Sequence, residues 1–299
     1  VPFFTPPATP VRQRRREADT IGVVLHRLPL AILTAAAALA QTPQAAPPKP
    51  SYRYAGRPIA LQAQCGDAEI ADFGMSCGED EPCPVYLELT AVASAGVRLF
   101  TIGNLHTGTA TLWSVLLASD DDGQSWTEPV DRLRGVAFDQ VQFPDFATGI
   151  VAGHTAGALS RDPFVLRTAD SGKTWSRSPI LEEGSVGSIE RLHFDSATHG
   201  VVQLDRVRRG PGRYATLETQ DGGSVWTIRE SSAERPSRPA GEIAPAVRIV
   251  ADAPSKSFRI ERHEENRWRT VAAFAVAAGA CQTGNPTAPP EPPPPGQVH

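Results

Sequence analysis

Three eight-residue stretches decide how this chain folds: Ser119-Asp120-Asp121-Asp122-Gly123-Gln124-Ser125-Trp126, Thr168-Ala169-Asp170-Ser171-Gly172-Lys173-Thr174-Trp175 and Thr219-Gln220-Asp221-Gly222-Gly223-Ser224-Val225-Trp226. They align without gaps and start 49 and 51 residues apart. Each follows a short apolar run, such as 112–118 or 164–167, so each marks a point where a strand turns back on itself. The residue types suit that task. Asp121, Asp170 and Asp221 can accept backbone N–H groups a few residues on, and Ser119, Thr168 and Thr219 add a local hydroxyl. Gly123, Gly172 and Gly223 supply a positive φ. Trp126, Trp175 and Trp226 are expected to pack on the hairpin beneath.

The repeat extends upstream of each octapeptide. Residues 136–143 and 149–153 precede the second, 189–194 and 200–204 the third, and 85–92 and 97–103 the first. Each pair reads as two short strands joined by a turn, giving four strands per unit of about 50 residues with the octapeptide between the third and fourth. The expected fold is all-β, a propeller of four-stranded blades over residues 52–283. A fourth, degenerate unit is expected in 242–274, with Glu264-Glu265-Asn266 in place of the octapeptide turn and Trp268 as its tryptophan. The length supports a small ring of four or five blades, with 58–65 completing the last one.

Both ends read as non-globular. Arg12, Arg14, Arg15, Arg16 and Arg27 precede the apolar run 28–40, which closes on Ala38-Leu39-Ala40. Residues 1–40 are therefore expected to be a signal peptide, followed by a Pro/Ala-rich linker over 41–51. Residues 284–299 read as a Pro-rich, non-packing tail. Without residues 1–40 the chain carries 24 basic against 31 acidic residues, which argues against nucleic acid as a partner. No later stretch is long and apolar enough to span a membrane. Cys65, Cys77, Cys83 and Cys281 are an even set in an exported chain, so two disulfides are expected, with Cys77–Cys83 and Cys65–Cys281 favoured among three pairings. Their spacing does not suit zinc, and neither a metal nor a cofactor is expected.

The octapeptides match the pattern S/T-x-D-x-G-x-[T/S]-W, departing from it only at Val225, and so the chain resembles the Asp-box, or BNR-repeat, propellers. That group includes sialidases and many non-catalytic members. The resemblance to sialidases implies an arginine triad, a Tyr nucleophile assisted by Glu, and an F/Y-R-I-P motif before the first box. Here the nearest stretch is Phe258-Arg259-Ile260-Glu261, which follows the last good box and lacks the proline. Tyr52, Tyr54, Tyr86 and Tyr214 are the only tyrosines, and none is placed as a nucleophile. No catalytic residue is assigned.

In character the chain is closer to the non-catalytic propellers that resemble photosystem II assembly and stability factors. Such a likeness implies a non-enzymatic scaffold that binds a protein or envelope assembly partner. The alternatives are a sialidase-like glycoside hydrolase and a carbohydrate-binding propeller with a glycan ligand. Arg206, Arg208, Arg209 and Arg213 lie in a Gly-Pro loop of the third unit and are the candidate partner contact.

Overall fold

Of the two units into which the chain divides, the second, Pro47–His299, is the one described. A computed structural model describes residues 49–207, 212–236 and 246–284, all of the second unit. The expected signal peptide lies outside the described residues, as does the expected tail beyond Gly284.

The first sheet uses β1 (Ser51–Arg53), β2 (Ala63–Cys65), β3 (Cys83–Ala95), β4 (Arg98–His106), β5 (Thr111–Ser119), β6 (Ser125–Thr127) and β7 (Leu133–Arg134). A six-residue helix, α1 (Asp67–Asp72), follows β2. The second sheet is β8 (Val136–Gln142), β9 (Gly149–Thr155), β10 (Arg161–Thr168) and β11 (Ser176–Pro179). The third is β12 (Ser188–Phe194), β13 (Gly200–Asp205), β14 (Tyr214–Thr219) and β15 (Thr227–Ser232). The fourth is β16 (Val247–Asp252), β17 (Ser257–Glu264) and β18 (Arg267–Ala275), and β19 (Ala277–Cys281) returns to the first. Within the second and third sheets, neighbours in sequence pair antiparallel in simple meanders. The fold is all-β, with sheets arranged like propeller blades.

Side-chain alternation dictates how the sheets stack. On β9, Ile150 and Ala152 join β10 Val165 against Leu192, Val202, Leu204, Ala215 and Leu217 of the third sheet. Val151, Phe164 and Leu166 point the other way, against Ile102 and Leu116 of the first. The opposite face of the first sheet, with Leu99, Val115, Leu117 and Trp126, packs on Val247, Ile260, Val271 and Phe274 of the fourth. The stacking order is therefore fourth, first, second, third, and among the described residues no hydrophobic cluster joins the third sheet to the fourth. Each large side chain buried in these seams contributes about 1.5–3 kcal/mol.

Amide side chains lace the seams as well. Asn104 brackets Phe138, accepting its N–H at 2.8 Å and donating to its carbonyl at 3.2 Å. Gln142 does the same for Phe194, at 2.9 and 2.7 Å. Each amide acts as a short extra rung between blades, which suits buried backbone groups that need partners.

The fourth sheet departs from the expected unit. Its turn at Glu265-Asn266 joins the second and third strands, not the third and fourth. Arg262, at the end of β17, donates to the Gly96 carbonyl at 3.1 Å in the β3–β4 turn, whereas the β16–β17 turn lies beside Tyr86, near the start of β3. Strand β16 thus runs opposite to β3, so this sheet is inverted relative to the other three. Trp268 is accordingly not an octapeptide tryptophan; Arg248 stacks 4.0 Å over its ring and His263 lies 5.0 Å away. Residues 58–65 are shared between two sheets: Ile59 bridges Phe274 of β18, and β2 pairs with β19.

Two expected edges of the domain hold structure. Ser51, inside the expected linker, begins β1, which pairs with β6. Gly284, the first residue of the expected tail, donates to Asp67 at 3.3 Å.

Candidate functional site

The three octapeptides share one geometry. The first hydroxyl donates to the Asp carboxylate at 2.9, 2.8 and 2.8 Å and accepts the N–H of Gly123, Gly172 or Gly223 at 2.8 Å in every case. The same carboxylate accepts the N–H of the seventh residue at 2.8, 2.9 and 3.0 Å. The seventh hydroxyl adds a bond of 2.6 Å from Ser125 and from Thr174. Val225 has none to give. The fourth and fifth residues take left-handed conformations throughout, φ being 56° and 88°, 63° and 82°, and 71° and 92°, which suits glycine at the fifth.

These bonds set the charge state of the carboxylates. The Thr174 hydroxyl, followed by its N–H, holds Asp170 well below the usual carboxylate range. The Val225 N–H and the Thr219 hydroxyl do so for Asp221. At Asp121 burial works the other way, but hydrogen bonds from Ser125 and Ser119 prevail and the pKa is lowered. Ionised carboxylates saturated by local donors are turn components. Among the described residues, no group of three or more His, Cys, Asp or Glu side chains is gathered to hold a metal ion.

Each octapeptide docks on the blade before it in the stack. Arg262 and Arg269 of the fourth sheet pair with Asp122 at 2.7 and 2.5 Å. Arg98 of β4 donates to the Ser171 carbonyl, and Arg167 of β10 to the Ser224 hydroxyl. The tryptophans follow suit rather than resting only on their own hairpins: Trp126 meets Phe274 edge-on at 5.3 Å and Trp175 meets Phe100 at 6.5 Å. Trp126 and Trp175 also donate to the Gly123 and Gly172 carbonyls at 2.9 and 3.0 Å. In the third octapeptide Trp226 packs on Phe194 of its own blade, and its buried Nε1 has no partner among the described residues. Residues of one octapeptide converge on each other; the three octapeptides form three separate turns, not one site.

The arginine loop is partly described. The Arg206 N–H donates to the Arg213 carbonyl at 2.8 Å, closing the β13–β14 turn. Arg213 pairs with Asp205 at 2.8 Å and lies 5.0 Å over the Tyr214 ring, so its charge is already engaged. Arg208 and Arg209 lie outside the described residues. Cys65 is bonded to Cys281 and Cys77 to Cys83, a state suited to an oxidising compartment. No helix among the described residues is long and apolar enough to cross a membrane.

A Tyr–Glu–Arg group does exist, at the outer edge of the first sheet. The Tyr52 hydroxyl donates to Glu128 at 2.6 Å, and Arg132 forks onto the same carboxylate at 2.7 and 2.9 Å. Burial, followed by the Glu128 contact, pushes Tyr52 up to about 12. That shift opposes use of the phenolate as a nucleophile, and the group's evident work is to fasten β1 to β6.

The face of the third sheet turned away from the core is different. Arg191, Gln203, Thr216 and Glu230 stand in register across its four strands. Cavities of 490 and 540 Å³ flank this row and share Gln203, Arg235 and Pro236 as lining. Among the described residues, the side chains of Gln203, Thr216 and Glu230 have no hydrogen-bond or ion-pair partner. The corresponding face of the fourth sheet is internally paired, Arg248 with Glu261 at 2.7 Å and Arg259 with Asp252 at 3.7 Å. The row on the third sheet is therefore the candidate site. None of these residues was singled out by motif, but alternation carried a signal: Gly149–Gly153 of β9 is buried on both faces, whereas β13 and β14 alternate as strands buried on one face do.

No protein-family model matches the sequence, and no curated protein matches it. Among solved structures, YCF48 from Cyanidioschyzon merolae aligns at 17% identity and a TM-score of 0.32, over 63% of this chain and 57% of that one. A GH74 xyloglucanase from Xanthomonas campestris aligns at 14% identity and 0.34, over 45% of this chain and 19% of the enzyme. A Trypanosoma rangeli sialidase aligns at 11% and 0.31, over 65% and 39%. The chain spans less than two thirds of each of these proteins, and at such scores the likenesses add nothing to the fold evident from the sheets.

Proposed function

We propose that this chain is an exported Asp-box propeller that works as a non-enzymatic scaffold and binds a protein partner on the open face of its third sheet. The observation that carries this reading is the row of Gln203, Thr216 and Glu230. It stands where a further blade would pack and offers donors and acceptors that no other described residue uses. Unused polar groups on one face of a sheet suit a polar interface that is formed and released rather than a permanent core. The repeated Asp residues, by contrast, are consumed inside their own turns, which supports a structural role for them. The two disulfides support a site of action outside the reducing cytoplasm.

The test is site-specific photocrosslinking in the envelope fraction of the source organism. A photoreactive residue at Thr216 should give a discrete protein adduct, and the same residue at Lys173, on the second octapeptide, should not. Equal adducts at both positions, or none at Thr216, would remove the assignment. Release of sugar from a fluorogenic sialoside or other glycoside by the purified protein would replace it with the enzyme reading.

A further inference from the structure

We infer that His199 is a pH-sensitive latch holding the third blade's outer hairpin to its neighbouring turn. The inference starts from an unusual pair of contacts. In the β12–β13 turn, His199 Nδ1 lies 2.6 Å from Asp195 Oδ2, and Nε2 lies 2.7 Å from Glu218 Oε1 on β14. A neutral imidazole carries one N–H and can donate to one carboxylate; only the imidazolium donates to both. The arrangement is complete in the protonated form alone.

The latch sits beside the octapeptide that lacks two of the bonds its counterpart in the second blade makes. The Gly222 N–H of the third octapeptide donates to the Thr198 carbonyl at 2.7 Å, so the turn that His199 anchors is also the turn on which that octapeptide rests. The second blade has the same link, from the Ser171 N–H to the Ala147 carbonyl at 2.8 Å, with Thr148 in the place of His199. There the octapeptide keeps its seventh hydroxyl and its indole bond, from Thr174 and Trp175. In the third blade both are missing, at Val225 and Trp226, and the His199 bridge stands in their stead.

Of the charges facing His199 from the packed elements, the carboxylates favour its protonation and the guanidinium groups of Arg229 and Arg167 oppose it. Asp195 belongs to its own turn and Glu218 to β14; Arg229 of β15 pairs with the other Glu218 oxygen at 2.9 Å, and Gln220 donates to Glu218 at 2.9 Å. Asp221 lies in the octapeptide, with Arg167 of β10 beside it. The Glu218 and Asp195 bonds raise the His199 pKa above its ordinary 6.5. A group whose folded pKa is raised contributes its full stabilisation below the unfolded value and loses it as pH rises through the folded value. The latch therefore holds in full below pH 6.5 and releases as pH rises through the raised folded value.

Two measurements on the full chain test this. Histidine NMR should show His199 titrating above 6.5. Hydrogen exchange, corrected for intrinsic rates, should show protection of the peptide 219–232 falling severalfold relative to 168–179 as pH rises through that titration. His199→Thr, which copies the second blade, should abolish the pH dependence of that ratio, and Glu218→Gln should move both the titration and the loss of protection to lower pH. Titration of His199 at or below 6.5, a flat ratio in the natural protein, or an unchanged dependence in either variant would overturn the inference. Should the threonine variant fail to fold, the Glu218→Gln shift decides it.

Discussion

Gly123 lies against Val271 so closely that a Cβ built on the glycine would stand 2.7 Å from the Val271 carbonyl oxygen. The first octapeptide thus meets the fourth sheet backbone to backbone, at a residue whose φ is 88°. Gly123→Ala should combine the cost of a left-handed alanine with that of overpacking, about 2–4 kcal/mol in all. Gly184→Ala, at φ 79° with open space around the glycine, isolates the conformational part and should cost about 1 kcal/mol. Urea unfolding of the two variants beside the parent distinguishes seam packing from turn strain.

Val225 breaks the pattern of its octapeptide, and the break is reversible. Val225→Thr should restore the hydroxyl bond to Asp221 that Thr174 makes to Asp170, raising stability by about 0.5–1 kcal/mol. Thr174→Val should lower it by a similar amount. Paired denaturation curves check both signs.

Asp121, Asp170 and Asp221 all have pKa values depressed by local hydrogen bonds. For such groups the unfolded chain binds protons first as pH falls. Their stabilisation is therefore fully present above the ordinary value of 3.8 and is lost as pH drops through the folded values. Unfolding free energy should decline steeply below about pH 4. Asp170→Asn should be less stable at neutral pH and show a shallower decline, as followed by fluorescence of the tryptophans.

Cys65–Cys281 closes a loop of 216 residues and Cys77–Cys83 one of 6. Loop-closure entropy makes the first worth about 5 kcal/mol and the second about 2. The double variant Cys65→Ala/Cys281→Ala should accordingly lose far more stability than Cys77→Ala/Cys83→Ala, measured by thermal unfolding under oxidising conditions.

Local rules were legible in the sequence because each acts within a few residues. The octapeptide pattern located three turns, and its period located the strands around them. What it could not show is direction and partnership at long range. Glu265-Asn266 is a turn, as read, but whether a turn closes the second or the third hairpin depends on how the sheet docks, here on Arg262 and Arg269 reaching Gly96 and Asp122. Nothing close to Tyr52 in the sequence explains it, because its partners Glu128 and Arg132 lie more than 70 positions away. The candidate site escaped motif reading for a related reason. Gln203 and Thr216 are ordinary residues whose meaning comes only from the lack of a neighbouring sheet among the described residues.

That lack is the point on which the functional proposal rests, and a thiol probe tests it directly. With all four native cysteines bonded, Gln203→Cys would supply one free thiol on an inner strand of the third sheet. The expected result is rapid modification by a bulky maleimide in the isolated protein and protection when the envelope partner is bound. A thiol that stays unreactive in the isolated, folded protein would show that another part of the chain covers this face, and would contradict the proposal.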